Sequence, residues 1–150
     1  MTEPPERILL VDDDESVRKA LAAVLENKGY IVETAENGRQ AIEKSKTGFY
    51  HLVLIDVRLP DMEGTRLLSE MRDTTPKMVK IIVTGYPSLE NAVEAANKAA
   101  DAYVIKPFNV DDLLSKIRES LDKQRDARRV TEQKVTEYIE TRAGETDEAE

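Results

Sequence analysis

The chain has 150 residues, 22 basic against 30 acidic side chains, a formal charge of −8, 40% hydrophobic and 35% charged residues, and no cysteine. A chain of this length buries roughly two-thirds of its unfolded surface and needs no disulfide or structural metal; without Cys it has no thiol nucleophile and no cysteine-ligated zinc. With His51 as the sole histidine, a multi-histidine metal centre and a Ser/His triad are nearly excluded, and the acidic total argues against nucleic-acid binding, which runs on clustered Lys and Arg.

Residues 1–6 form a Pro-containing leader without the basic and apolar regions of a signal peptide. No apolar run approaches the ~20 residues of a membrane span, so no membrane partner and a cytoplasmic location are expected. The run Ile8-Leu9-Leu10-Val11 then stops abruptly at Asp12-Asp13-Asp14. An apolar run without polar alternation reads as a strand buried on both faces. Val17, Leu21, Val24 and Leu25 follow at helical spacing, with Gly29 where a helix C-cap belongs. Tyr30 to Thr34 is a weaker strand candidate, and Ala41, Ile42 and Ser45 mark a second helix. His51 to Ile55 is a strand ending at Asp56; Leu67, Leu68 and Met71 mark the third helix. Ile81 to Val83 ends at Thr84, and Leu89, Val93 and Ala96, with Ser88 as N-cap, mark a fourth helix. Ala102 to Ile105 ends at Lys106, and the last helix starts at Val110 with Leu114, Ile117 and Leu121 facing the core.

Strands alternating with helices imply right-handed crossovers and a parallel sheet covered on both faces. The expected architecture is α/β: a doubly wound, five-stranded parallel sheet over residues 7–122, with a helical extension at 123–142. That extension has six basic and four acidic residues, whereas 143–150 carries four acids and is expected to be disordered.

In such sheets ligands bind beyond the carboxyl ends of the strands, where this sequence places Asp12, Asp13, Asp56, Thr84 and Lys106. Three carboxylates brought to one edge repel each other unless protonated or neutralised by a cation. Oxygen-only donors point to magnesium, which commonly bridges carboxylates to a phosphoryl group. Lys106 adds a fixed positive charge and Thr84 a hydroxyl donor, the parts of a site that stabilises a transferring phosphoryl group. One carboxylate would be the nucleophile, since aspartate can form an acyl phosphate, and Asp56 on the middle strand is the candidate.

The segments Ile8 to Asp13, Leu54 to Gly64, Ile81 to Gly85 and Tyr103 to Phe108 together resemble the receiver domain of two-component response regulators, over about residues 6 to 122. The resemblance implies a flavodoxin-like (βα)5 fold, as in chemotaxis regulators, and a phosphoryl group accepted on Asp56 from a histidine kinase. It implies that Asp13, Asp56 and the backbone carbonyl of Arg58 hold magnesium, or alternatively manganese, with Asp12 holding a metal-bound water. Thr84 and Lys106 would contact the phosphoryl oxygens, Tyr103 would be the switch aromatic, Lys106-Pro107 would be a cis bond, and Gly64 would open a helix. Arg58 and Tyr86 flank the path of hydrolytic water in this family, and their bulk is expected to slow loss of the phosphoryl group. Such a module catalyses only its own phosphorylation and dephosphorylation, and is not otherwise an enzyme. Downstream partners would read the face of the fourth helix, fifth strand and fifth helix.

Simpler readings compete at several positions. Asp14 matches no chemical position and is expected to start a helix. His51 opens a strand instead of sitting exposed on a helix, so it is a poor phosphohistidine. The acids among Arg125, Arg128 and Arg129 make a solvated helix face the expectation, and the broken heptad Leu114, Leu121, Arg128, Val135 leaves a single helix, a homodimer coiled coil or a docking arm open. Two other functions also compete: a phosphorylation-independent interaction module on the same fold, and a haloacid-dehalogenase-like phosphatase using Asp12 with Asp14. No effector domain fits in the 28 residues after Asp122, so the chain is expected to be a stand-alone regulator or a fragment.

Overall fold

The computed structural model describes residues 4–71, 77–85 and 100–149. Five strands, β1 (Arg7–Val11), β2 (Ile31–Ala35), β3 (Leu52–Asp56), β4 (Val79–Thr84) and β5 (Ala102–Ile105), form one parallel sheet in the order β2-β1-β3-β4-β5. Described helices are α1 (Glu15–Asn27), α2 (Gly38–Thr47), α3 (Gly64–Glu70) and a C-terminal helix (Val110–Ala149). The fourth helix expected from Ser88 to Ala96, and Tyr86 before it, lie outside the described residues.

The apolar runs become strands because both faces of the sheet are covered. Alternation along each strand sorts the side chains. Leu9, Val11, Val53, Ile55 and Ile82 pack with Leu67, Leu68 and Met71 on one face. Ile8, Leu10, Leu54, Ile81 and Val83 pack with Leu25 of α1 and with Leu113, Ile117 and Leu121 of the C-terminal helix on the other. The buried stripe of that last helix therefore runs at intervals of four from Leu113, with Leu114 only partly buried beside it. The chain steps from β1 outward to β2, then crosses back past β1 to β3 and on to β5, so strand order reverses between β1 and β3 and a crevice opens there.

Local chemistry fixes the ends of the helices. Asp14 caps α1 by accepting from the Val17 N–H at 3.1 Å, and Gly29, at φ 96°, follows it in the left-handed region. Asn37 caps α2 through the Gln40 N–H at 2.8 Å. Asn109 accepts from Asp111 N–H at 2.8 Å at the start of the C-terminal helix, where Asp111 and Asp112 also suit the positive end of its dipole.

That helix is a single 40-residue element reaching Ala149, so the tail from Ala143, expected to be disordered on its acidic composition, continues the helix instead. Ala and Glu are among the stronger helix formers, and four of the seven residues from Ala143 to Ala149 are Ala or Glu. Before this stretch, every residue from Arg129 to Thr141 is exposed, so packing does not hold that part of the helix. Arg125 pairs with Asp122 at 2.7 Å and Arg128 approaches Glu132 at 4.0 Å, which makes this part of the helix a solvated, charge-paired face.

At the amino ends of the strands, His51 Nδ1 accepts the Arg7 N–H at 2.9 Å. Gln124 of the C-terminal helix donates to the carbonyls of His51 and Lys77 at 2.9 and 2.8 Å, tying helix to sheet. Burial lowers the His51 pKa; Arg128 and Arg7 act in the same direction and Glu6 opposes them. The unfolded chain therefore takes up this proton first as pH falls. His51 contributes stability that is fully present above about pH 6.5 and lost below it. Between pH 7.5 and 5.5 the urea midpoint should fall more steeply in the native sequence than in His51→Asn, whose amide oxygen keeps an acceptor without a titration. Equal slopes in the two proteins would refute this role.

Candidate functional site

The carboxyl ends of β1 and β3 carry three acids. Asp12 and Asp13 follow Val11, Asp56 ends β3, and one oxygen from each of the three carboxylates lies within 4.8 Å of the others. Asp12 is buried at 4% exposure, Asp56 is half-buried, and Asp13 is exposed, so the cluster grades from core to solvent. Parallel register delivers this arrangement, since Val11 pairs with Ile55 and the next residue of each strand is an aspartate.

Lys106 arrives from β5, two strands away. Its main-chain N–H donates to the Thr84 carbonyl at 2.6 Å, and the Lys106-Pro107 peptide bond is cis. The side chain reaches across the end of β4 to put Nζ 3.3 Å from both Asp12 Oδ2 and Asp56 Oδ2. Burial of the ammonium acts to lower its pKa, but the charges of Asp12 and Asp56 outweigh it and the net shift is upward. Among the described residues, Lys106 thus pairs with two of the three acids and leaves Asp13 without an ammonium contact. Thr84 is fully buried at the end of β4, between Asp56 and Lys106 in strand order. Tyr103 on β5 pairs with Ile82 and packs its half-buried ring on the α3 side of the sheet; its buried hydroxyl has no hydrogen-bond partner among the described residues.

Close backbone approach shapes the loop after Asp56. A Cβ on Gly64 would collide with the Asp56 carbonyl and come within 2.9 Å of Val57 Cα, so only glycine lets α3 start against the strand end. The loop folds back on itself through Gly64 N–H to Val57 O at 2.6 Å and Leu59 N–H to Met62 O at 3.2 Å. Arg58, exposed within it, donates its N–H to Asp56 Oδ1 at 3.1 Å.

Asp14, by contrast, spends its carboxylate on the cap of α1, which leaves the Asp12 and Asp14 pair of a dehalogenase-like phosphatase unassembled. His51 lies at the opposite end of the sheet. A cavity of about 740 Å³ lined by Val79, Gln124, Ala127 and Arg128 lies at that same far end and takes no part in the chemistry of the carboxylates.

Two side chains that support the site escaped the sequence reading. Arg18 of α1 donates Nη1 to the Asp12 carbonyl at 2.7 Å, and Asp61 accepts the N–H groups of Gly38 and Arg39 at 2.9 Å each. An arginine one turn into the helix after the acidic run is a weak signal for the first. For the second there is none, because its partners are main-chain groups more than twenty residues away.

A family model described as the response regulator receiver domain matches residues 8–118. The chain belongs to this family. It is 38% identical over 118 residues to the regulatory protein AtoC of Escherichia coli, covering 79% of this chain and 26% of that one, so it spans about a quarter of that relative's length. Among solved structures it is similar to a CheY-like receiver domain protein from Methanospirillum hungatei, with 47% identity and a TM-score of 0.79 over 82% of this chain and 98% of that one. It is also similar to the response regulator TrrA of Thermotoga maritima, solved with magnesium and beryllium fluoride, at 35% identity and a TM-score of 0.69 over 77% of this chain and 98% of that one. No helix among the described residues is long and apolar enough to cross a membrane.

The three acids of this receiver domain are oxygen donors with one ammonium to offset them, a donor set that fits a hard divalent cation. If their repulsion dominates without metal, Asp13→Asn should stabilise the protein in EDTA by about 1 kcal/mol and lose most of the further stabilisation that magnesium gives the native sequence. A lower urea midpoint for the variant in EDTA would contradict this.

Proposed function

We propose that Asp56 is the phosphoacceptor, taking a phosphoryl group from the phosphohistidine of a cognate kinase in a magnesium-dependent reaction. The observation that carries this reading is the position of Asp56 on the central strand, with Asp12 and Asp13 beside it and Lys106 Nζ at 3.3 Å. Asp12, Asp13, Asp56 and the Arg58 carbonyl are the groups that would hold the ion, directly or through water. When bound, magnesium supplies positive charge to both the carboxylates and the phosphoryl oxygens.

An Asp56 carboxylate oxygen would attack phosphorus as the P–N bond breaks, with the bonding pair returning to the imidazole nitrogen. Lys106 loses one of its two anionic contacts as that carboxylate becomes the bridging oxygen of an acyl phosphate, a mixed anhydride, and its ammonium turns to the phosphoryl oxygens. The Thr84 hydroxyl donates to the same oxygens. A shift of Thr84 at the end of β4 is felt by Tyr103, its near neighbour on β5, and the half-buried ring then favours one of two packings. Ile105 at 51% and Val110 at 41% exposure leave apolar surface at β5 and the start of the C-terminal helix, which supports that edge of the domain as the surface partners read. Exposed Val135, Tyr138 and Ile139 lie on one side of the extended helix at coiled-coil spacing and support pairing with a second copy.

Incubation with magnesium and acetyl phosphate should give a labile adduct of one phosphoryl unit by mass spectrometry, absent in Asp56→Asn and in EDTA. Native protein that stays unmodified, with Asp56→Asn behaving alike, would support a phosphorylation-independent module; phosphate on Asp12 would support a phosphatase.

On this reading, large side chains two residues after Asp56 and two after Thr84, Arg58 and Tyr86 in the sequence, slow the loss of the acyl phosphate. Replacing both with Ala should shorten the half-life of the adduct severalfold, and an unchanged rate of phosphate release would exclude this role.

A further inference from the structure

The loop that follows the phosphoacceptor is anchored at its tip to a helix from another part of the chain. Asp61 Oδ1 accepts the Gly38 N–H and Oδ2 the Arg39 N–H, both at 2.9 Å, so a single carboxylate bridges two free donors of the first turn of α2. The neighbouring Met62 lies directly over Gly38, where an added Cβ would stand 2.5 Å from Sδ. Glycine at 38 and the Asp-Met pair at 61 and 62 are thus complementary parts of one contact. Asn37 already caps α2 through Gln40, so α2 does not depend on Asp61 for its own N-cap.

Asp61 is itself exposed, and since Asn37 already supplies the N-cap of α2, the contact adds to that helix only the modest stability of a carboxylate at a helix N-terminus. What the bridge does fix is the loop. Between Asp56 and Asp61 the chain is held by Arg58 N–H to Asp56 Oδ1, by the Arg58 and Glu63 bridge and by the Leu59 and Met62 pair. These contacts tie the loop to itself and to the strand end, whereas Asp61 and Met62 tie its far end to the body of the protein. Arg58, the residue whose carbonyl would join the metal, sits between the two ties.

We infer that Asp61, seated on the N-terminus of α2, is a positioning residue for the divalent cation: it holds the Arg58 segment at the distance from Asp56 that metal binding requires. This rests on the reading of Asp12, Asp13 and Asp56 as a magnesium site. Partners that orient metal ligands without touching the metal typically change affinity 10–100-fold when removed, and a loop tether at one remove belongs at the lower end of that range.

The test is a magnesium titration of the intact chain, without phosphodonor, followed by amide chemical shifts. Asp61→Ala should weaken magnesium affinity about tenfold, and Gly38→Ala, which displaces Met62, should weaken it in the same direction. Asp61→Asn, which keeps one acceptor, should fall between Asp61→Ala and the native protein. Asn37→Ala serves as the comparison for helix stability: it should lower the melting temperature while leaving magnesium affinity unchanged. At saturating magnesium, Asp61→Ala should regain the native rate of phosphorylation by acetyl phosphate. Equal magnesium affinity in Asp61→Ala and the native protein overturns the inference, as does an equal weakening in Asn37→Ala. A native protein that binds no magnesium overturns the underlying reading instead, so the two failures are distinct.

Discussion

The site is organised around a charge imbalance: three carboxylates gathered at the ends of β1 and β3, and one ammonium, Lys106, between two of them. At separations of 4–5 Å like charges cost several kcal/mol at the effective dielectric near a protein surface. Lys106 offsets part of this and is itself held charged by the same acids. The remainder is a standing demand for positive charge. A divalent cation would answer it, and a phosphoryl group would then be tolerable in a place that three bare carboxylates forbid.

The scaffold meets that cost with apolar packing kept well away from it. Leu9, Val11, Val53 and Ile55 are fully buried immediately beneath the acids, and the two faces of the sheet are covered by separate clusters. Parallel strands oblige every carboxyl end to emerge on one side, so acids at the ends of β1 and β3 meet wherever those strands are neighbours. The reversal of strand order between β1 and β3 makes them neighbours and leaves room above. Arg18 holds the Asp12 carbonyl to α1, and Asp61 ties the loop after Asp56 to α2.

Much of this was legible in the sequence because burial on both faces leaves uninterrupted apolar runs. β1, β3, β4 and β5 are visible for that reason, and their terminal polar residues name the site. β2 is fainter because it is an edge strand whose Ile31 is 42% exposed and whose Glu33 and Thr34 are only partly covered. The stripe of the C-terminal helix was misplaced by one residue at its start, since Leu113 and Leu114 are both apolar and spacing alone does not choose between them. Its length was underestimated because an acidic composition reads as disorder even where Ala and Glu favour a helix. Asp61 was illegible for a different reason: a carboxylate that caps a distant helix leaves no periodicity, and only the folded chain brings Gly38 to it.

The C-terminal helix runs against the direction of the strands, and this sets how the site can be felt elsewhere. It begins just after Lys106 and Pro107, beside the acids, and by Gln124 it has reached the carbonyls of His51 and Lys77 at the amino ends of β3 and β4. Fourteen rises of 1.5 Å make that distance about 21 Å. The exposed segment beyond Arg129 therefore leaves the domain from the end opposite Asp56. A change at Asp56 has no direct contact with that segment, and the available route is the helix as a body, gripped by Leu113, Ile117 and Leu121 on the sheet and turned from its first residues. Packed interfaces of this kind move between discrete arrangements instead of bending continuously. A small displacement of Lys106 or Tyr103 near the head of the helix would then be expressed at Val135 and Ile139 as a change in angle.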